Sequence, residues 1–503
     1  MKNRSLWMSA AAALVVAAAV AGCGKTTYLD GRVLPPSKLT NRVMIAIQNP
    51  SAFTKGTLQF VDAYYDIRGG YTGTPATFSI SGFSGALPIS IQNMPEEETG
   101  AVYGSGDGSF NLVNYSKEST GGAVSGLNGL SSSIYISRNL GYAFAASENS
   151  RVLTVVNRNN GGSYPLSLPG IYRVSVNAGG TFAIAFVQNS DYAYYPLQLT
   201  GAQTINYSGG PSTWPLGAVD CEPFSAPVWC LFQALDPSST KANPIPLQFN
   251  RPVKAVFSAD GSTAYILSCG PECGGTNGSN PTSVPLSNAA VTLMPIAPMI
   301  FLNGQASGTL PSQSQINANC ATAGATNSCS IPIPGGAANA LVNTSTMYVV
   351  GQQPQQVGST TLYGGNLTVV NLSNNTAGSS ISISDGAPGA PSRMILADNN
   401  TLWIAMTKCT NGVRAANGEA DGCLTMFNTG SNTVTMLEPY LGDATGIAAV
   451  TGLNKIYTAV GGQVYIYSTV NGSAIDNQYV TVTGTAYDVA YIDAASDGDN
   501  TVY

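Results

Sequence analysis

Beyond residue 40 the chain is built from short apolar runs broken by polar turns. One run recurs: three or four apolar positions at alternating or adjacent places, ending in Asn or Asp. It stands as Leu58-Gln-Phe-Val-Asp62, Phe110-Asn-Leu-Val-Asn114, Leu153-Thr-Val-Val-Asn157, Leu367-Thr-Val-Val-Asn371 and Leu424-Thr-Met-Phe-Asn428, with Val464-Tyr-Ile-Tyr-Ser468 as a variant. Neighbouring copies lie 52, 43, 57 and 40 residues apart, leaving aside a central gap of 214. An aromatic or apolar run precedes most copies, as in Tyr142-Ala-Phe-Ala-Ala146, Met347-Tyr-Val-Val350, Leu402-Trp-Ile-Ala405 and Ile456-Tyr-Thr-Ala459. A further strand comes before that, often after Pro or Gly: Tyr172-Arg-Val-Ser-Val176, Val253-Lys-Ala-Val-Phe257, Ser392-Arg-Met-Ile-Leu396. Period-2 alternation bounded by Asn, Gly and Asp predicts strands, and no segment beyond residue 40 carries a helical period.

Three strong strands and a weaker fourth, repeating every 40–50 residues or so, predict an all-β fold: a single β-propeller of four-stranded blades. The physical reason is burial. One sheet cannot cover both of its faces, whereas a ring of sheets covers each face with a neighbour and leaves no open end. About eight candidate third strands favour eight blades over seven. Tyr487-Asp-Val-Ala-Tyr491 reads as an inner strand cut off by the C-terminus, and Arg42-Val-Met-Ile-Ala-Ile47 with Leu58 to Asp62 read as outer strands that lack one. Pairing the N- and C-terminal strands would close the ring.

Ser258-Ala-Asp-Gly-Ser-Thr-Ala-Tyr265, the Leu-Thr-Val-Val-Asn strands and the inner strands after Pro or Gly resemble the bacterial YVTN/YncE-like β-propellers over residues 41–503. The resemblance implies a propeller, usually seven-bladed, with surface-layer, quinohaemoprotein-like and lactonase-like relatives. Two stretches depart from its spacing, residues 200–250 and 296–335, and read as loop insertions from one face.

The first residues follow another logic. Lys2 and Arg4 precede an apolar run from Leu6 to Val20, shorter than the roughly 20 residues that span a bilayer, and the run ends in Val20-Ala21-Gly22-Cys23. This resembles the bacterial lipobox. It implies a signal peptide over 1–22, lipid on Cys23, a flexible tether over 23–40, and, with Gly24 in place of an aspartate, sorting to the outer membrane, facing the periplasm or the cell surface. Gly24-Lys25-Thr26 mimics the end of a P-loop, but the required first glycine is Ala19.

Composition narrows the chemistry. Only 9% of the 503 residues are charged, against about 25% in a typical soluble domain. Removing Lys2 and Arg4 leaves 18 basic against 26 acidic residues, a balance of −8 that disfavours nucleic acid as a partner. There is no histidine, which removes Ser-His-Asp and Cys-His catalysis and histidine-bound metals. Eight cysteines remain besides Cys23, in four close pairs: Cys221 and Cys230, Cys269 and Cys273, Cys320 and Cys329, Cys409 and Cys423. In an exported chain these predict local disulfides.

Candidate sites are few. Asp493-Ala-Ala-Ser-Asp497-Gly-Asp499-Asn500 resembles a calcium loop but lacks the full EF-hand spacing and its final glutamate, and a solvated turn between two strands is the favoured reading. No metal and no cofactor is expected; were a metal bound, Asp493, Asp497 and Asp499 are its candidate ligands. Glu96-Glu97-Glu98 reads as an exposed turn. Asp62, Tyr64, Tyr65 and Asp66, and likewise Asp191, Tyr192, Tyr194 and Tyr195, mix acids with aromatics and could stack on a sugar, although tyrosine is also a common strand residue. No catalytic residue emerges. The sequence therefore points to a protein that is not an enzyme: a lipid-anchored envelope propeller that binds a protein or glycan or acts as a scaffold. The alternative is a metal-dependent, lactonase-like hydrolase using carboxylates, which requires acidic or Asn side chains to converge at one mouth of the channel.

Overall fold

A computed structural model of the chain describes residues 27–497, apart from 29–30, 50–54, 67–77, 200–217, 222–227, 233–248, 275–288, 296–329, 385–389, 408–421, 438–441 and a few isolated positions. The described residues form eight antiparallel blades in a ring. Except in blades 3 and 8 the strands run outward in chain order, so blade 1 comprises Pro88–Met94, Thr99–Gly104, Ser109–Asn114 and Ser119–Ala123. The innermost strands of blades 2 to 7 are Ser133–Ile136, Ile171–Val176, Pro252–Phe257, Asn339–Asn343, Ala390–Ala397 and Ala444–Val450. Blade 8 joins the two ends of the chain. Its inner strand is Thr485–Tyr491, and Arg42–Gln48 and Thr57–Asp62 lie outside it. Val43 faces Tyr491 and Val61 in register, so the predicted closure is present.

The core is divided among the seams between blades. Along Thr401–Thr407 of blade 6, Leu402, Ile404 and Met406 pack towards blade 5, and Trp403 and Ala405 towards blade 7. Successive side chains in a strand point to opposite faces, and here both faces are buried. That is why these strands read as nearly unbroken apolar runs. Similar clusters fill the seams between blades 1 and 2 and between blades 8 and 1.

The recurring Asn or Asp also has a local cause. It closes the turn after the third strand by accepting backbone N–H groups two or three residues on: Asn114 Oδ1 from Lys117 N at 2.8 Å, Asn371 Oδ1 from Ser373 N at 2.9 Å, Asn428 Oδ1 from Gly430 N at 3.0 Å, and Asp62 Oδ1 from Tyr64 N at 3.0 Å. Asp260 does the same work in the first turn of blade 4. Ser258 and Ser262 donate to it, at 2.6 and 2.9–3.0 Å, and hold its carboxyl down to about 2.

The ring is pinned where the termini meet. The Arg42 guanidinium is 1% exposed and reaches Asp493 Oδ1 at 2.6 Å, Glu118 Oε1 at 2.9 Å and the Tyr115 carbonyl at 2.8 Å, while the Arg42 backbone N donates to Asp493 Oδ2 at 2.7 Å. One arginine thus ties the first strand of the ring, the residues after the last strand, and blade 1.

Two expectations change. Residues 31–40 are not a free tether: Arg32 Nη1 donates to the Ala494 carbonyl at 3.1 Å, and Ser37 N and Oγ donate to the Glu118 carboxylate. Residues 200–250 are not wholly loop. Val228–Phe232 pairs with the third strand of blade 3, and Ala218–Cys221 adds a fifth strand outside it. An insertion can extend a sheet because the outermost strand of a blade offers an unpaired edge. Most of 296–335 and the whole of 1–26, with Cys23, lie outside the described residues.

Candidate functional site

The channel is shaped by a repeated backbone irregularity. In six of the eight inner strands the register with the second strand slips by one residue near the start, with Ile89, Tyr172, Val253, Ser392, Thr445 and Tyr487 as the extra residues. Such a β-bulge re-aims the side chain beside it. The residues that follow are Ser90, Arg173, Lys254, Arg393, Gly446 and Asp488. They form one tier of a ring, and Asn339 of blade 5 joins it through a 2.7 Å bond from Lys254 Nζ to its Oδ1. A chain with 9% charged residues places three cations and one acid at this tier.

The two sides of the tier differ. Arg393 reaches from blade 6 past blade 7, donates to Asp488 Oδ1 and approaches the Ile89 carbonyl at 3.4 Å. Asp488 also accepts from Ile91 N at 2.7 Å and Val489 N at 2.8 Å. This crossing needs the glycine on blade 7: a Cβ on Gly446 would lie 2.6 Å from Asp488 Cα. Beyond the pair, Ile395, Ile447, Ala448, Ala449, Val489 and Ala490 close the wall around a gap of only 10 Å³, room for about one water.

On the other side the tier borders a cavity of 390 Å³, within the range of small-molecule sites. Lys254, Asn339, Ser175, Ser392, Gln92 and Arg138 are among its lining residues. Lys254 is half-buried and lines this cavity. Burial, then the Arg173 and Arg393 cations, pull its ammonium down to about 7. Asn339 holds Nζ in place and is itself held, with Nδ2 donating to the Ser392 carbonyl at 3.3 Å. Arg173 is exposed at the same tier, its guanidinium carbon 5.3 Å from the centre of the Tyr172 ring.

At the start of the inner strands, Glu272 sits in the short turn Gly270–Cys273, stapled by the Cys269–Cys273 disulfide. It accepts from Gln352 N at 2.9 Å, and burial pushes its carboxyl up to about 7 against the opposing pull of Arg173. At the other end of the cavity, Arg138 binds Asp497 at 2.5–2.6 Å and Glu96 at 3.0 Å, with Glu97 at 3.8 Å. Ligand oxygens of Glu96, Glu97 and Asp497 lie within 4.8 Å of one another. Burial first, then repulsion from Asp497, raises Glu97.

These positions revise the sequence reading. The proposed calcium trio is not one site: Asp493 is spent on Arg42, Asp497 joins Glu96 and Glu97 around Arg138, and Asp499 lies outside the described residues. Glu96-Glu97-Glu98 is not merely an exposed turn, since the backbone N–H groups of Glu96 and Asp497 each donate to the other's carboxylate, at 2.9 and 3.0 Å. Asp66 turns away from Tyr64 and Tyr65 to bind Lys455 at 2.6 Å and the Tyr457 hydroxyl, leaving the two exposed rings edge-to-face at 4.7 Å. Tyr194 is buried with Trp229 and Phe144, and Asp191 and Tyr192 lie outside the described residues. Cys230 and Cys423 are disulfide-bonded, and Cys221 faces Cys230 in strand register. Cys320, Cys329 and Cys409 lie outside the described residues.

No family model matches the chain, and none of the curated proteins matches it. Among solved structures it is similar to the dihydro-heme d1 dehydrogenase NirN, at 10% identity and a TM-score of 0.47, covering 90% of this chain and 75% of that one. A proposed 6-phosphogluconolactonase of Bacteroides fragilis is similar at 8% identity and a TM-score of 0.45, covering 90% and 99%. The periplasmic gluconolactonase of Pseudomonas aeruginosa is similar at 12% identity and a TM-score of 0.42, covering 89% and 98%. At such identities the likeness concerns fold and carries no argument about substrate. It does correct one expectation. The reading of the chain as no enzyme fails, because several propellers it resembles are enzymes by name, so the architecture gives no ground for that exclusion.

Proposed function

We propose that the chain is a propeller enzyme whose central channel takes a small anionic substrate beside Lys254. One observation carries this reading: an amine drawn to about 7 lines a cavity of small-molecule size, with two guanidiniums at the same tier. A strongly shifted group in a cleft is a candidate functional site. Calorimetric titration with phosphate, gluconate and pyruvate tests it. At least one of these anions binds the wild type, and Lys254→Met and Arg173→Gln each weaken it about tenfold, the order of a lost charge-assisted contact. Absence of binding by all three ends the reading.

The enzyme works in the cell envelope, held to the membrane through a lipid on Cys23. The Val20-Ala21-Gly22-Cys23 pattern supports this, and so does the Cys269–Cys273 disulfide, which suits an oxidising compartment. Cys23→Ser releases the chain to the soluble fraction; a membrane-bound Cys23→Ser chain contradicts the anchor.

A second reading, the carboxylate-dependent hydrolase, is favoured by the convergence of Glu96, Glu97 and Asp497 at one end of the cavity. Arg138 already stands among them, so a divalent cation has to displace a guanidinium. Equilibrium dialysis against calcium separates the two readings: one tightly held ion per chain supports the hydrolase.

A further inference from the structure

We propose that Lys254 is a nucleophile that forms an imine with the carbonyl carbon of a 2-oxo acid held in the channel. The inference deepens the reading of the channel as a site for anionic substrates and rests on it.

The geometry supplies three requirements of this chemistry at one place. The amine must be neutral near pH 7, which desolvation and neighbouring cations achieve. The charged groups that act on Lys254 include Arg173, on the preceding blade, and Arg393, two blades on. Arg393 is bonded to Asp488, whereas Arg173 remains exposed at the same tier. The nitrogen must also be aimed, and Asn339 Oδ1 holds Nζ at 2.7 Å while itself accepting from Ala340 N at 2.9 Å. Finally, the carbonyl has to lie beside the amine, and a carboxylate attached to it provides the handle for Arg173. Ser175, whose Oγ accepts from Ala255 N at 3.1 Å, keeps its own proton to donate to a substrate oxygen.

The step balances without an oxidant. The neutral amine adds to the carbonyl carbon, and a proton passes from nitrogen to the former carbonyl oxygen. Protonation of that hydroxyl by solvent releases water and leaves an iminium. Overall, one ammonium and one carbonyl give one iminium and one water.

The test uses the full chain with pyruvate and sodium cyanoborohydride, which reduces an iminium to a stable secondary amine. Peptide mapping by mass spectrometry is expected to find one adduct, on Lys254. Its rate saturates with pyruvate, exceeds that with acetone, and is half-maximal near pH 7. Folded Lys254→Arg, checked by thermal melting, forms no adduct. Arg173→Gln keeps the lysine and slows trapping about tenfold with a higher pH midpoint, as a raised pKa requires. An adduct spread over other lysines, or trapping indifferent to Arg173→Gln, overturns the proposal. If pyruvate protects Lys254 from acetic anhydride yet no adduct forms, the imine falls and the anion site stands. If pyruvate neither protects nor reacts, both fall.

Discussion

Arg393 and Lys254 occupy the same place in two blades, each directly after the bulge of an inner strand, yet their surroundings give them opposite roles. Arg393 is 3% exposed, crosses the channel and is neutralised by Asp488, although it borders the same cavity as Lys254. Lys254 borders open space, donates to a neutral amide and feels two other cations. The bulge sets where a charge points, but the neighbouring blades decide whether it braces the ring or faces a ligand. A glycine at the blade 7 position opens the crossing for the first outcome. The asparagine of blade 5 supports the second.

The sharpest way to break this comparison is to remove a charge from the neutralised side. Asp488→Ala leaves Arg393 buried without its partner, and chemical denaturation is expected to show a loss of about 3–5 kcal/mol. A loss as large from Lys254→Met would erase the distinction, since that cation is held against the preference of its surroundings. Asp493→Asn at the Arg42 seam belongs with Asp488→Ala and is expected to cost slightly less, because Glu118 and the Tyr115 carbonyl still hold the guanidinium. Gly446→Ala comes next. Its Cβ meets backbone as well as the carboxylate of Asp488, and overpacking of this kind costs about 1–3 kcal/mol.

Titration sharpens the contrast further. Lys254 has a folded pKa of about 7, below its ordinary 10.5, so its contribution to stability is present above 10.5 and is lost as pH falls through 7. Glu272 runs the other way: raised from 4.5 to about 7, it contributes below 4.5 and loses that contribution as pH rises through 7. Denaturation curves of Lys254→Met should therefore lack the rise in stability from pH 7 to 10.5, and those of Glu272→Gln the fall from 4.5 to 7. Arg138→Met is the smallest change. Its ion pairs are part-exposed, and about 1 kcal/mol or less is expected.

Much of the fold is legible in the sequence because propeller physics is periodic. Runs such as Leu402-Trp-Ile-Ala405 recur since every blade buries two faces, and Asn114, Asn371 and Asn428 recur since each closes the same turn. The terminal strands are recognisable as halves of one blade because neither half can be covered alone. The channel is less legible. Tyr172-Arg173, Val253-Lys254 and Ser392-Arg393 place a basic residue at the second position of three of the apolar runs, a usable signal in so uncharged a chain. What the sequence does not display is the bulge that turns these residues together, or which cation an acid neutralises, since Arg393 and Asp488 stand 95 residues apart. The acids near the C-terminus mislead for the same reason. Asp493 and Asp497 are close in sequence but serve partners at Arg42 and Arg138.

The central claim is that Lys254 is a reactive amine at neutral pH. Competitive labelling with isotopically coded acetic anhydride, followed across pH and read on the peptide that contains residue 254, measures this directly. A midpoint near 7 is expected. A midpoint for Lys254 at 10 or above would contradict the account.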